Sequence, residues 1–148
     1  MEKWYGAAGI CVNEHNQILM VLQGKPEEKK VWSVPSGGKE SSETFEQCCI
    51  REIKEETGYD VKIVRPIYKK VGITYGIEVE VQYFEVGVIG GKQCIQDPDN
   101  LIYEIAWKSA NELLELELSF PEDRELLLDF TYGKGNLHNE STSSYFKR

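Results

Sequence analysis

Residues 37–59, GGKESSETFEQCCIREIKEETGY, constrain the chain more than any other stretch. From Glu43 onward there is no internal Gly or Pro, Ser41-Ser42 leads in and Gly58 stands as a C-terminal stop, a pattern that predicts a helix. At about 100° per residue, Phe45, Cys49 and Ile53 fall on one side and can dock on a core, with Cys48 at the margin. Glu52, Glu55 and Glu56 continue almost the same side into the last turn, within an arc of roughly 100°. Three like charges are therefore held together at the helix end where the backbone dipole is negative, and both effects oppose them. One account is a solvated helix end, softened by Arg51 and Lys54. The other is a hard divalent cation such as Mg2+ or Mn2+, which takes carboxylate oxygens and keeps positions open for water and substrate phosphates.

For a bare E-x-x-E-E the solvated end is the commoner account, and what favours the cation is a family resemblance. From Gly37 the spacing reads Gly, five residues, Glu43, seven residues, Arg51-Glu52-Ile53, one residue, Glu55-Glu56, one residue, Gly58 and then Tyr59. This resembles the Nudix box, G-x5-E-x7-R-E-U-x-E-E-x-G-U, of hydrolases acting on nucleoside diphosphates linked to another group. So many residue types at fixed spacing are far harder to meet by chance than a lone G-x-G-x-x-G. Two positions depart from the common form. Tyr59 fills the final aliphatic position as a large apolar anchor, and Ser36-Gly37 follows Pro35 where a Gly-Gly pair is frequent. A side chain thus stands where backbone approaches metal and phosphates.

The resemblance implies an α/β fold, a Nudix-type α/β/α sandwich with a mixed β-sheet between helices. It also implies a metal-dependent pyrophosphohydrolase, with water attacking a phosphorus in the diphosphate linkage of a nucleoside diphosphate derivative or nucleoside triphosphate. Carried over by position, Glu52, Glu55 and Glu56 hold Mg2+ or Mn2+, and Glu52 is also a candidate general base. Arg51 orients the box carboxylates with Glu43 as its partner, Gly37 shapes the loop, and Gly58 ends the helix. The base differs among members of this family. Glu104, before Trp107, resembles the acid some members place opposite the helix, with Glu80 a weaker choice. Trp4, Tyr5, Tyr75 and Phe84 are candidates for stacking on a nucleobase. Tyr75 falls 16 positions after Tyr59, where members that cleave dinucleoside polyphosphates tend to carry a tyrosine, but eight tyrosines make coincidence easy. The substrate stays an unspecified nucleoside diphosphate derivative. Two other classes compete: a nucleotide-binding sensor without turnover, and a thiol enzyme built on Cys48-Cys49.

Composition sets the outer bounds. A chain of 148 residues with 41% hydrophobic and 28% charged content fits one domain, expected over 1–132 with a tail over 133–148. A net charge of -8 argues against binding a nucleic-acid polymer and leaves a metal-assisted enzyme for small nucleotides untouched. Cys11, Cys48, Cys49 and Cys94 form no C-x-x-C pair, and reduced thiols are expected. No leader and no apolar stretch near 18 residues is read, so a cytoplasmic location without membrane contact is the expectation. A homodimer is left open.

Along the chain, 3–12 and 18–22 are apolar runs about a turn signal, read as strands in a hairpin or in neighbouring positions. Residues 31–35 read as a short strand leading into the glycines. Residues 59–68 and 71–74 read as extended chain interrupted by Pro66 and Lys69-Lys70, and Tyr75-Gly76 as a turn. Ile77, Val79, Val81 and Tyr83 alternate with polar residues until the phase slips at Tyr83-Phe84, where a bulge or bend is expected. Residues 89–100 read as a loop able to cover a site, 101–107 as a strand, and 109–116 and 120–132 as helices.

Overall fold

The structure is a computed structural model that describes residues 2–96 and 100–132. The chain runs through β1 (Lys3–Cys11), β2 (Ile18–Gln23), β3 (Val31–Ser33), β4 (Ser36–Gly38), α1 (Phe45–Thr57), β5 (Tyr59–Thr74) and β6 (Ile77–Gly91). It continues through β7 (Ile102–Lys108), α2 (Ala110–Glu115), a 3-10 turn (Pro121–Asp123) and α3 (Arg124–Thr131). The larger sheet has the order β4-β1-β6-β5, with β1 parallel to β6 and the other pairs antiparallel, and β3-β2-β7 form a second, antiparallel sheet. This is the mixed α/β arrangement expected.

β1 explains the layering. Its Ala8 and Ile10 enter a core with Leu113 of α2 and Leu126, Leu127 and Phe130 of α3, whereas Ala7 and Cys11 enter a core with Cys48, Cys49 and Ile53 of α1. A strand covered on both faces needs apolar residues at every position, which is why 3–12 reads as a run without alternation. The bulge expected at the phase slip is present, with its extra residue on the neighbouring strand. Tyr83 and Phe84 are both buried, Tyr83 on the α3 side and Phe84 on the α1 side. Of three register shifts, those between Ile63 and Arg65 and between Pro66 and Tyr68 leave Val64 and Ile67 as extra residues on β5, the second opposite Tyr83-Phe84, and the one between Asp60 and Val61 leaves Ile89 extra on β6. Pro66 is tolerated because β5 is an edge strand, where a missing N–H breaks no ladder.

Other local readings shift for identifiable reasons. β1 and β2 are joined by a turn but part into different sheets, sharing the single bridge Val12 to Ile18. α1 starts at Phe45 because Thr44 and Gln47 form a reciprocal capping box, which leaves Glu43 outside the helix. Ser109 and Glu112 cap α2 in the same way. Pro121 opens a 3-10 turn, and the α-helix proper begins at Arg124. Of the loop expected over 89–100, residues 89–91 belong to β6 and 97–99 lie outside the described residues, as does the tail over 133–148. Among the described residues no helix is long and apolar enough to cross a membrane.

Candidate active site

α1 docks through Cys48, Cys49 and Ile53, and this burial fixes the rotation at which its carboxylates emerge. Its C-terminus is set by Gly58, whose φ of 86° is left-handed and whose N–H donates to the Lys54 carbonyl at 2.9 Å. A Cβ at Gly58 would strike the Lys92 carbonyl, so both backbone conformation and space require glycine here.

Arg51 ties the acidic residues together. Its Nε donates to Glu43 Oε2 at 3.0 Å and its Nη2 to Glu43 Oε1 at 2.6 Å, a two-pronged pair, while Nη2 also donates to the Gly38 carbonyl at 2.8 Å. Nη1 reaches Glu52 Oε2 at 2.9 Å and Glu55 Oε1 at 3.3 Å. The guanidinium beside Glu43 pulls that carboxyl down to about 2. Glu52 behaves oppositely: burial pushes its carboxyl up to about 7 despite Arg51. Its carboxylate lies directly against Gly37, where any Cβ would overlap it. Glu56 is 8% exposed and accepts the Ser36 N–H at 3.2 Å. The departure at Ser36 therefore leaves its backbone contact to the helix intact.

Among the described residues no three acidic, thiol or imidazole groups converge into a ready-made metal cage, because Arg51 holds Glu52 and Glu55. The donor set nevertheless fits a hard divalent cation. Glu52, Glu55 and Glu56 offer only oxygens from one side of a helix, and Gly37 lacks the Cβ that would crowd Glu52.

Ser36 and Gly37 also line a cleft of about 1250 Å³. Its other walls come from β1, from the β5–β6 hairpin and from the 3-10 turn with α3, and they include Trp4, Tyr75 and Phe120. Trp4, 43% exposed, packs its ring over Gly6 and Gly38. Tyr75 is 98% exposed at the hairpin tip. Two stacking candidates are displaced from the cleft by strand alternation. Phe84 is a core residue, and Tyr5 lies on the α1 side, edge-on to Phe45 at 6.1 Å. Glu104 pairs with Leu22 on β7 and is exposed, on the face opposite Ile105 and Trp107, which pack on the α1 core. Glu80 is paired with Lys69 at 3.5 Å.

Sequence reasoning missed a polar cluster at the cleft. Asp123, 4% exposed, accepts from Tyr83 Oη at 2.7 Å, from Tyr68 Oη at 3.3 Å and from Lys70 Nζ at 2.9 Å. Tyr68 and Tyr83 stack at 4.8 Å, and Lys70 lies over Phe120 at 4.6 Å. The adjacent polar letters of Pro121–Asp123 gave the only sequence signal, and nothing in their order pairs them with β5 and β6.

The family model described as "NUDIX domain" matches residues 3–130. An ADP-ribose pyrophosphatase of Bacillus subtilis is 29% identical over 73% of this chain and 61% of its own length. An 8-oxo-dGTP diphosphatase of Proteus vulgaris is 36% identical over 40% of this chain and 54% of its own. The chain spans between 17% and 61% of the length of such curated relatives. Among solved structures, a NUDIX hydrolase from Nitrosomonas europaea superposes with a TM-score of 0.77, at 20% identity over 90% of this chain and 91% of that one. The E. coli ORF135 protein gives 0.74, at 20% identity over 95% and 96%. A match running from β1 into α3, around a complete box folded as described, means that this chain belongs to the NUDIX family.

Proposed function

We propose that the chain is a metal-dependent pyrophosphohydrolase that cleaves the diphosphate linkage of a nucleoside diphosphate derivative or nucleoside triphosphate by attack of water at phosphorus. The observation that carries this reading is Glu52, a carboxylate packed against bare Gly37, which itself lines a cleft large enough for a nucleotide. A pKa pushed up to about 7 suits a general base working near neutral pH, so Glu52 takes that role and Glu104 does not. Glu52, Glu55 and Glu56 would hold Mg2+ or Mn2+, which supplies charge neutralisation at the phosphates and acidifies bound water. Arg51 positions Glu52 through their 2.9 Å contact and is itself fixed by Glu43. Trp4 and Phe120, both partly exposed in the cleft, offer apolar faces for the base.

The names of relatives, an ADP-ribose pyrophosphatase and an 8-oxo-dGTP diphosphatase, support the reaction class without choosing between substrates. A thiol mechanism is disfavoured, because burial pushes Cys48 and Cys49 up to about 12 and leaves them protonated and inert. Their reduced state suits the cytoplasm, the location that goes with this reading. The test is turnover of nucleoside triphosphates, dinucleoside polyphosphates and nucleotide sugars with Mg2+. Chelator should abolish activity, and Glu55→Gln or Glu56→Gln should lower kcat by roughly 10²-fold or more with folding retained. Turnover indifferent to chelator and to both substitutions would remove the reading.

A further inference from the structure

β5 is the outer strand of the larger sheet, and among the described residues nothing pairs with its outer edge. Such an edge is a template for another strand, and most proteins blunt it with charge or bulges. The inner half of β5 is blunted in this way, by the extra residues Val64 and Ile67 and by Lys62. The outer half, Val71-Gly72-Ile73-Thr74-Tyr75, has neither charge nor bulge, and Val71 is 59% and Ile73 68% exposed. The lysines beside it are neutralised within the chain. Lys69 pairs with Glu80 at 3.5 Å, and Lys70 with Asp123 at 2.9 Å and Glu122 at 3.1 Å.

We propose that this segment pairs with the same segment of a second copy, joining two sheets across a two-fold axis at Gly72. The hairpin register supports that placement. Tyr75 and Gly76, with φ of 52° and 77°, form a two-residue turn that makes Thr74 and Ile77 a hydrogen-bonded pair. Alternation then aims the peptide groups of Thr74 and Gly72 at β6 and those of Val71 and Ile73 outward. An antiparallel partner centred on Gly72 sets Val71 opposite the second copy's Ile73 and Ile73 opposite its Val71, so every outward peptide group at the centre finds a partner. The sequence is nearly symmetric about that point, β-branched on either side of a glycine, which is what a self-complementary contact needs. Gly72 has no atom within 4 Å of where a Cβ would stand, so the axis is open. The hairpin forms one wall of the cleft, and pairing would brace it.

A contact this small lies at the low end of interface sizes, so half-association is expected at roughly tens of micromolar. Sedimentation equilibrium of the full chain over a concentration series should show a monomer–dimer equilibrium. Ile73→Lys should weaken it at least about tenfold by adding charge at the edge. Val71→Pro should do the same by removing one outward N–H while sparing the β6 ladder. Circular dichroism and thermal melts matching the parent chain would confirm that both variants fold. In a Cys94→Ser background, Gly72→Cys should oxidise to a linked dimer several-fold faster than Lys62→Cys, because residues facing across the axis form a non-hydrogen-bonded pair with Cα atoms about 4.5 Å apart. A chain that stays monomeric throughout, as it would if residues 133–148 or another protein covered the edge, overturns the proposal. So does a dimer indifferent to both variants, or a Gly72→Cys that links no faster than Lys62→Cys.

Discussion

Glu52 can lie flat against β4 only because Gly37 presents a hydrogen where every other residue presents a carbon. Gly37→Ala is therefore expected to displace the carboxylate rather than unfold the chain, since the backbone at Gly37 is ordinary strand paired with Ala7. A displacement of about 1 Å in a reacting group costs roughly 10²-fold in rate. Steady-state kinetics should show that loss in kcat, with a melting temperature close to the parent's. Gly58→Ala should do the reverse and lower stability first, because left-handed backbone and the Lys92 carbonyl both oppose a side chain there. A Gly37→Ala variant with full kcat would mean that the position of Glu52 does not matter to turnover. The box residues were legible in the sequence because their spacing is the geometry: Glu52, Glu55 and Glu56 on one helix side with Arg51 beside them, Glu43 ahead of the helix, and a glycine at either approach. The Ser36 N–H on Glu56 was not, since a backbone donor leaves no mark in residue identity. Nor was the displacement of Tyr5 and Phe84, because which aromatic faces a cleft depends on strand order.

At the level of elements, Asp123 joins pieces that are distant in the chain. Its carboxylate takes Tyr68 and Lys70 from β5 and Tyr83 from β6, which ties the cleft's hairpin wall to the turn that precedes α3. Deep burial, reinforced by the nearby Asp123 carboxylate, raises the Tyr83 hydroxyl well above its usual range, so it remains a donor. Removing one member of a buried charged set leaves the rest uncompensated, at a cost of about 3–5 kcal/mol. Asp123→Ala should lower the denaturant midpoint accordingly without changing the slope, whereas Asp123→Asn, which keeps acceptor capacity, should lose less. A loss below 1 kcal/mol for Asp123→Ala, measured by urea unfolding, would contradict the buried network. The helices were readable from their apolar stripes and α2 also from its cap, whereas the Thr44 cap that starts α1 went unread beside the serines before it. The single long β5 was not, because Pro66 and Lys69-Lys70 resemble breaks until the strand is known to lie at an edge.

For the whole molecule, the site and the fold are linked through protons and metal. Glu52 carries a pKa of about 7 in the folded chain against an ordinary 4.5, so the folded state holds its proton over a range where the unfolded state has released it. Its contribution to stability is full below about 4.5 and is lost as pH rises through about 7. Glu43, held near 2 by Arg51, works in the other direction, and its contribution is lost only as pH falls from 4.5 toward 2. The two windows do not overlap. With chelator present, ionisation of Glu52 should therefore lower the melting temperature between pH 5 and 8. A divalent cation that binds the ionised carboxylates should oppose this fall and raise stability by about 2.7 kcal/mol at a hundredfold excess over its Kd, with a shift that grows across the same pH range. Glu52→Gln cannot ionise and should flatten the metal-free profile while shrinking the metal-induced shift. If the parent and Glu52→Gln trace the same metal-free curve from pH 5 to 8, the carboxylate is not desolvated by the fold, and an exposed helix end becomes the better account of this acidic cluster.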